Sequence, residues 1–115
     1  MSSFIRVTSE TIRSVAEATI PATYVSAGKL GTPLANPSRL VAFTNDTNAA
    51  MFVSDDGVND KFFLAANSFK LFDLTSNRMN VENVFCYATG TQFWVRYASA
   101  PSSGSGFYLE TLYGA

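Results

Sequence analysis

The side chains from which a catalytic site could be built are few in this chain. The sequence contains no histidine and one cysteine, Cys86. Histidine is the side chain whose ordinary pKa lies between pH 5 and 8, so its absence removes the usual proton acceptor for a serine or cysteine nucleophile. Cys86 stands between Phe85 and Tyr87 in an apolar run, which is typical of a buried, unreactive thiol. We therefore expect no Ser-His-Asp or Cys-His enzyme, and no metal site built from His or Cys.

The carboxylates offer two other kinds of site. Residues 55–60, with the sequence DDGVND, form an acidic cluster, but they lack the regular spacing and the closing glutamate of an EF-hand. Asp, Asn and Gly are common turn formers, so this cluster predicts a polar turn. A glycosidase would need two carboxylates facing a cleft, and Asp73 and Glu110 are candidates only because both lie on predicted strands. We expect no enzyme, no cofactor and no metal.

Aromatic side chains are abundant: the chain has ten Phe, five Tyr and one Trp. Trp94 and Arg96 share the polar side of a predicted strand, and Tyr108 and Tyr113 follow near the C-terminus. Trp, Tyr and Arg are the residues most enriched at the energetic centres of protein interfaces. These four residues are candidates for a platform that contacts protein or sugar. The alternative is that they line the second sheet of the fold.

The composition predicts a surface that contacts other proteins. Charged residues make up 15% of the chain and aromatic residues 14%, whereas soluble domains average about 25% charged residues. Large apolar patches on a protein surface tend to be binding sites, so some of the exterior is predicted to contact copies of the chain or another protein. The alternative is a compact monomer with a surface of Ser, Thr and Asn.

The net charge of −1 lacks the basic excess expected of a nucleic-acid binder, so no nucleic-acid partner is predicted. Residues 1–44 carry four basic and two acidic residues, and residues 45–115 carry four basic and seven acidic residues. This asymmetry would help neighbouring copies to meet in register, although two solvated faces would give the same counts.

The length of 115 residues favours a single domain over residues 1–115, large enough for a core without disulfides. No run of eighteen apolar residues occurs, and the N-terminus lacks the pattern of a secretory signal. We expect no membrane partner, and we expect the chain to stay in the compartment where it is made.

Alternation of apolar and polar residues predicts most of the strands. Residues 92–97 and 107–113 are predicted strands joined by a long hairpin connection at 100–106, and residues 39–44 and 51–54 are predicted to pair across a turn at 45–48. An Asp-Gly turn is predicted at 55–57. The remaining predicted strands are residues 4–7, 22–26, 62–64, 69–74 and 84–87.

Residues 12–19 have helical spacing but contain weak helix formers, so residues 1–20 are interpreted as an extended arm or a short helix. Seven to eight short strands without a strong helix predict an all-β fold, an antiparallel β-sandwich of the jelly-roll or Ig-like kind. The extended segment Phe4, Ile5, Arg6 and Val7 suits the addition of a strand to a neighbour's sheet. It would equally serve as an edge strand of its own fold.

Four runs of sequence carry a resemblance: residues 43–48 (FTNDTN), 52–58 (FVSDDGV), 65–69 (AANSF) and 90–95 (GTQFWV). They resemble small β-sandwich structural proteins in the virions of tailed bacteriophages. In those proteins a strand ending in Phe-Thr-Asn-x-Thr leads to a further strand and an Asp-Gly turn, and a short aromatic strand closes the chain. The resemblance covers residues 38–115 and includes no catalytic signature, and residues 1–37 match no family.

The resemblance implies a virion protein that is made in the host cytoplasm. Its partners would be other virion proteins, above all the major capsid protein, and copies of itself. The favoured role is a capsid decoration or cement protein, because a short all-β chain without a helical docking segment suits a surface staple. A neck or tail adaptor that anchors fibres is the alternative within the family, and removal of residues 1–8 is predicted to weaken attachment without unfolding the chain.

A carbohydrate-binding module is the alternative from a different class. In that case Trp94, Tyr108 and Tyr113 would stack on sugar rings, and a glycan array would separate this hypothesis from the virion role.

Overall fold

A computed structural model describes residues 7–74 and 86–114. In this part of the chain, eight β-strands form two antiparallel sheets and no α-helix occurs, so the predicted all-β sandwich is confirmed. Sheet A contains β1 (Val7–Ser9), β2 (Arg13–Ala16), β3 (Leu40–Thr47), β6 (Ser68–Asp73) and β8 (Gly104–Gly114). Its strand order is β1-β8-β3-β6, and β2 also pairs with β8. Sheet B has the order β5-β4-β7, with β4 (Met51–Ser54), β5 (Phe62–Leu64) and β7 (Trp94–Tyr97).

The core lies between the two sheets and is centred on Phe43, whose side chain is fully buried. Four other phenylalanine rings surround it at centroid distances of 5.2 to 6.2 Å. They come from both sheets and from the residue before β7: Phe62, Phe72, Phe93 and Phe107. Aromatic pairs at such distances contribute about 0.5–1.5 kcal/mol each beyond the area they bury. Phe43 therefore links the two layers of the sandwich.

The segment from Ile20 to Leu34 covers the outer edge of β7 without forming a regular strand. It contacts the edge at separate points: the Tyr97 amide donates to the carbonyl of Pro21, and the Leu30 amide donates to the carbonyl of Phe93. Ile20, Leu30 and Leu34 are buried in the core. The strand predicted at residues 22–26 is therefore wrong, because these residues form bends that lead into a 3₁₀ turn at Ser26–Gly28.

Two predicted hairpins are also wrong, because each joins strands of different sheets. β3 pairs with β6 and β8, whereas β4 pairs with β5 and β7. β3 continues through the predicted turn as far as Thr47, and the chain then crosses to sheet B. Likewise β7 lies in sheet B and β8 in sheet A, so residues 98–103 cross between the layers.

Buried polar side chains hold the crossing from β3 to β4. Asn45 is 1% exposed, and its amide donates to the carbonyls of Ala49 at 2.9 Å and Ala65 at 3.0 Å. Its side-chain oxygen accepts a hydrogen bond from the Thr47 hydroxyl at 2.7 Å. These bonds tie the end of β3 to the start of β4 and to the turn between β5 and β6. The crossing is therefore stabilised by side chains rather than by a hairpin ladder.

The N-terminal region contains a strand where one alternative predicted a helix. Arg13 and Val15 are buried while Ser14 and Ala16 are exposed, which is the alternation of a strand, so the helical alternative is wrong for residues 13–16. Helical structure within residues 12–19 is limited to a three-residue 3₁₀ turn at Glu17–Thr19. β1 pairs with the end of β8, with Val7 opposite Gly114. Val7 is therefore part of an edge strand of its own sheet, and removal of residues 1–8 would delete two of the three residues of β1.

Two predictions lie partly outside the described residues. The predicted strand at 4–7 is described only at Val7, and the predicted strand at 84–87 only at Cys86 and Tyr87, where Tyr87 forms a single bridge with Ser38.

Candidate functional site

The residues predicted to form one aromatic platform do not come together. Trp94 and Arg96 lie on β7 in sheet B, whereas Tyr108 and Tyr113 lie on β8 in sheet A. Tyr108 is opposite Thr44 on the outward side, and Tyr113 is opposite Thr8 of β1. Val7, from the predicted arm, is 69% exposed, and its predicted companions Phe4, Ile5 and Arg6 lie outside the described residues. A stacked surface of Trp94 with Tyr108 and Tyr113 is therefore absent from the described part of the chain.

Arg96 is instead the centre of a cluster on the outer side of sheet B. Its Nε and Nη2 atoms donate to the two carboxylate oxygens of Asp60 at 2.9 and 2.6 Å. The Tyr24 hydroxyl donates to the same carboxylate at 2.5 Å. The guanidinium also lies 4.6 Å from the ring centroid of Phe52 and 5.8 Å from that of Tyr24. Carboxylate pairing and ring stacking together use both the edge and the face of the guanidinium.

This pairing changes the acidity of all three ionisable groups. The hydrogen bonds from Arg96 and then Tyr24 hold the pKa of Asp60 below its ordinary value. The Asp60 carboxylate in turn raises the pKa of Arg96. Burial, together with the bond to Asp60, raises the pKa of Tyr24 well above its ordinary value. The cluster therefore keeps the same charges near neutral pH.

The acidic residues 55–60 form the predicted polar turn, packed against Trp94. One carboxylate oxygen of Asp56 accepts bonds from the Ser54 hydroxyl and from the amides of Val58 and Asn59, at 2.7 to 2.9 Å. The bonds from these amides hold the pKa of Asp56 well below its ordinary range. Lys61 pairs with Asp55 at 3.1 Å. The carboxylate of Asp56 is thus bonded to groups of the turn, and that of Asp55 is paired with Lys61. No set of three His, Cys, Asp or Glu suited to a metal occurs in the described ranges.

Gly57 allows the turn to approach the indole closely. Its φ is +75°, and a Cβ added there would lie 3.0 Å from Cε2 of Trp94. Lys29, which forms a backbone bridge with Trp94 at the edge of β7, places its ammonium 5.2 Å from the indole ring centroid. Trp94 is thus held between a turn and a cation, and only part of its surface remains for a partner.

The expectation of a buried Cys86 is wrong, because Cys86 is exposed. The inward position is taken by the next residue, Tyr87, whose ring packs at 5.2 Å from the ring of Phe93. Alternation along an extended chain places neighbouring side chains on opposite sides, so only one of the two can enter the core.

A second surface, which the sequence analysis does not predict, covers the outer side of sheet A. A shallow depression of about 320 Å³ is lined by one carboxylate and four apolar residues: Leu40, Ala42, Leu71, Glu110 and Leu112. Beside it lie Phe69, which is 73% exposed, and Tyr108. These seven residues are called the acidic-apolar face below. The run Leu40-Val41-Ala42-Phe43 signals this face in the sequence, because it is apolar at both the inward and the outward positions of β3.

The strand register fixes the arrangement of this face. Ala42 of the central strand β3 has Leu71 on one side and Glu110 on the other, and Leu40 lies between Asp73 and Leu112. Glu110 is exposed, and within the described residues it takes part in no ion pair. The two predicted carboxylates Asp73 and Glu110 thus share one face, on opposite sides of β3. The face offers apolar contact area and an unneutralised carboxylate.

Comparison with known proteins gives no relative: no protein-family model, no curated protein and no solved structure matches the chain. Within the described residues, no helix has the length and apolar character needed to cross a membrane.

Proposed function

We propose that this chain is a structural protein of a tailed-bacteriophage virion, and that it decorates the head by binding major capsid subunits and copies of itself. The observation that carries the proposal is the apolar exposure on both outer faces of a β-sandwich. Phe69 and Leu71 are 73% and 55% exposed on sheet A, and Phe63 is 48% exposed on sheet B. Exposed apolar area of this kind marks protein contact sites.

Two opposed contact faces suit a protein that lies between neighbours. On sheet B, Phe63 and Phe52 are paired across β5 and β4, with ring centroids 5.4 Å apart, and the Arg96 cluster continues the row. On sheet A, the acidic-apolar face provides a different chemistry, with Glu110 among leucines. A cement protein needs one surface for the capsid and another for a neighbouring molecule. The neck or tail adaptor remains the alternative role, since a ring component needs two faces as well.

The proposal is tested on purified virions from the source of this sequence. Mass spectrometry should detect the chain as a virion component. Electron cryo-microscopy should place it on the head in a copy number proportional to the number of major capsid subunits. A single ring at the neck would support the adaptor instead. Absence of the chain from purified virions would overturn the proposal. The position of the gene provides a quick check, because adjacency to the major capsid gene supports decoration and adjacency to portal or tail genes supports an adaptor.

Deletion of residues 1–6 tests the contribution of the N-terminus. The deletion retains all of β1, so the free energy of unfolding in urea is predicted to stay within about 0.5 kcal/mol of the full chain. Occupancy on particles should fall, because Phe4, Ile5 and Arg6 are removed from the interface. A matched variant with Ser2 and Ser3 replaced by glycine keeps those three residues and should retain full occupancy. Unchanged occupancy after the deletion would exclude a role of the N-terminus in attachment.

A further inference from the structure

The acidic-apolar face defines the chemistry of what binds it. The depression is lined by four apolar residues and the carboxylate of Glu110. The outward positions of the described strands of sheet A also carry Asp73 and Asp46 but no Lys or Arg. An arginine or lysine has an aliphatic stem that can lie along apolar surface while its charged end reaches a carboxylate. The complementary partner is therefore a segment in which a basic residue stands beside large apolar residues.

Most of the eight basic residues of the chain are already engaged. Arg13 pairs with Glu10, Lys61 with Asp55 and Arg96 with Asp60. Lys29 lies over Trp94, and Arg39 donates to the carbonyl of Leu74. Of the remaining three, Lys70 has no such contact in the described part of the chain, and Arg6 and Arg78 lie outside the described residues.

Of these three, Arg6 has the required neighbours. In an extended chain, residues i and i+2 project to the same side, so Arg6 and Phe4 would enter one surface together. Lys70 lies on β6 itself, at a position that alternates with the outward-facing Phe69 and Leu71. Arg78 has Ser76 and Asn80 at the corresponding positions. The segment Phe4-Ile5-Arg6 therefore matches the acidic-apolar face in charge and in apolar character.

The direction in which β1 leaves its sheet favours docking of this segment on a neighbouring molecule over docking on its own chain. Ser9 lies opposite Leu112 and Val7 lies opposite Gly114, so β1, followed back towards residue 6, leads away from Glu110 and off the end of its own sheet. Six extended residues span at most about 20 Å, which equals about four strand spacings of 4.8 Å. That length is sufficient to cross the acidic-apolar face of an adjacent copy.

We infer that the N-terminal segment of one copy docks on the acidic-apolar face of a second copy, with Phe4 in the depression and Arg6 paired with Glu110. The inference deepens the proposed self-assembly and rests on it only in requiring that copies meet. It concerns contacts between purified chains, so failure of the chain to bind capsids would leave it standing.

Charge reversal of the two partners tests the inference by sedimentation velocity on the purified full chain, with reductant present. Wild type should self-associate in a salt-sensitive manner, and Arg6→Glu and Glu110→Lys should each weaken association by about tenfold or more, since like charges would then face each other. Mixing the two variants should restore a mixed complex. The carboxylate introduced at position 6 of one chain would meet the ammonium introduced at position 110 of the other, and the wild-type pair would form at the reciprocal contact. The double variant should also self-associate.

Matched variants separate this contact from a general effect of charge or of misfolding. Lys70→Glu changes the net charge by the same amount as Arg6→Glu, and it should leave association unchanged. Circular dichroism checks that each variant is folded, and Glu110→Gln replaces Glu110→Lys if the latter does not fold. A wild type that is monomeric at all concentrations would overturn the inference. So would a mixture of the two variants that associates no better than either variant alone, which would indicate a contact within one chain or with another partner.

Discussion

Asn45 shows how a single polar residue directs the chain in this fold. Its position in the run Asn-Asp-Thr-Asn predicts an exposed turn, yet the side chain is 1% exposed and joins three separate segments. A buried amide is tolerated only when its donors and acceptor are paired, and here the pairs are Ala49, Ala65 and Thr47. Such pairing depends on residues up to 20 positions away, so composition and periodicity could not predict it.

Replacement of Asn45 by alanine should destabilise the protein strongly. The change leaves the carbonyls of Ala49 and Ala65 without this donor and opens space beside the core, at a cost of about 3 kcal/mol in the free energy of unfolding. Urea denaturation followed by tryptophan fluorescence measures the loss. Asn59→Ala is the matched control, because Asn59 is exposed and its amide donates only to Asp56; its cost should stay below about 1 kcal/mol. Equal losses for the two variants would contradict the proposed role of Asn45.

The partners of Arg96, like those of Asn45, could not be predicted from composition and periodicity. Alternation along β7 predicts that Arg96 lies away from the core beside Trp94, and the structure agrees. Its partner Asp60 lies 36 residues earlier in a turn, and Tyr24 comes from the irregular segment before β3. The outward direction of the side chain was therefore predictable, and its neighbours were not.

At the level of elements, periodicity predicted strand positions better than strand partners. β5, β6, β7 and β8 all lie within a few residues of their predicted bounds, because alternation reports which side of a strand is buried. Alternation carries no information about which strand lies beside it. Both connections, residues 48–50 and 98–103, cross between the sheets, and the predicted hairpins failed for this reason.

The start of β8 depends on a close backbone approach at Gly104. The register between β3 and β8 shifts between Asp46 and Thr47, and Thr47 is paired with Gly104 there. Gly104 has a φ of +112°, and a Cβ on it would lie 2.1 Å from the carbonyl oxygen of Asp46. A side chain at this position would force the two central strands of sheet A apart.

Gly104→Ala should therefore cost about 3 kcal/mol or more of stability, from backbone strain together with steric overlap. Gly90→Ala provides a matched control, because Gly90 has a similar φ of +93° but no atom within 4 Å of an added Cβ. That change should cost about 1 kcal/mol, the strain alone. Thermal unfolding of both variants measures the difference, and equal costs would show that the approach to Asp46 is unimportant.

For the whole molecule, the acid limit of stability follows from three carboxylates. Asp56 and Asp60 have lowered pKa values, as described above, and so does Glu10. Burial alone would raise the pKa of Glu10, but hydrogen bonds from Arg13, Asn36 and Ala35 together outweigh it. A carboxylate with a lowered pKa binds protons less tightly in the folded chain than in the unfolded chain. Its stabilisation is therefore complete above its ordinary pKa and is lost as the pH falls through the folded value.

Stability should accordingly begin to fall near pH 4, since the ordinary pKa values are 3.8 for Asp60 and 4.5 for Glu10. It should change little between about pH 6 and 8, where histidine would otherwise titrate. Urea denaturation across this range measures the profile. In Asp60→Asn the free energy of unfolding should fall less steeply with decreasing pH than in the wild type, because one of the three groups no longer titrates. An equally steep fall in the variant would show that the pair of Asp60 with Arg96 does not contribute to the loss of stability in acid.

The fold class was predictable from the whole sequence, whereas the surface was only partly so. Strand length, turn residues and the lack of a strong helix sufficed for a β-sandwich. The acidic-apolar face arises from three strands that are far apart in sequence, with Leu71, Ala42 and Glu110 in one row. Such a row exists only once the strand order is known, and the sequence does not contain that order in readable form.

The exposed thiol of Cys86 has a practical consequence for any measurement of assembly. It is the single cysteine of the chain, and it is exposed. Air oxidation can join two such thiols into one covalent species with twice the mass, whatever the affinity of the folded surfaces. Only a species that persists in dithiothreitol, or in a Cys86→Ser chain, therefore reports non-covalent recognition.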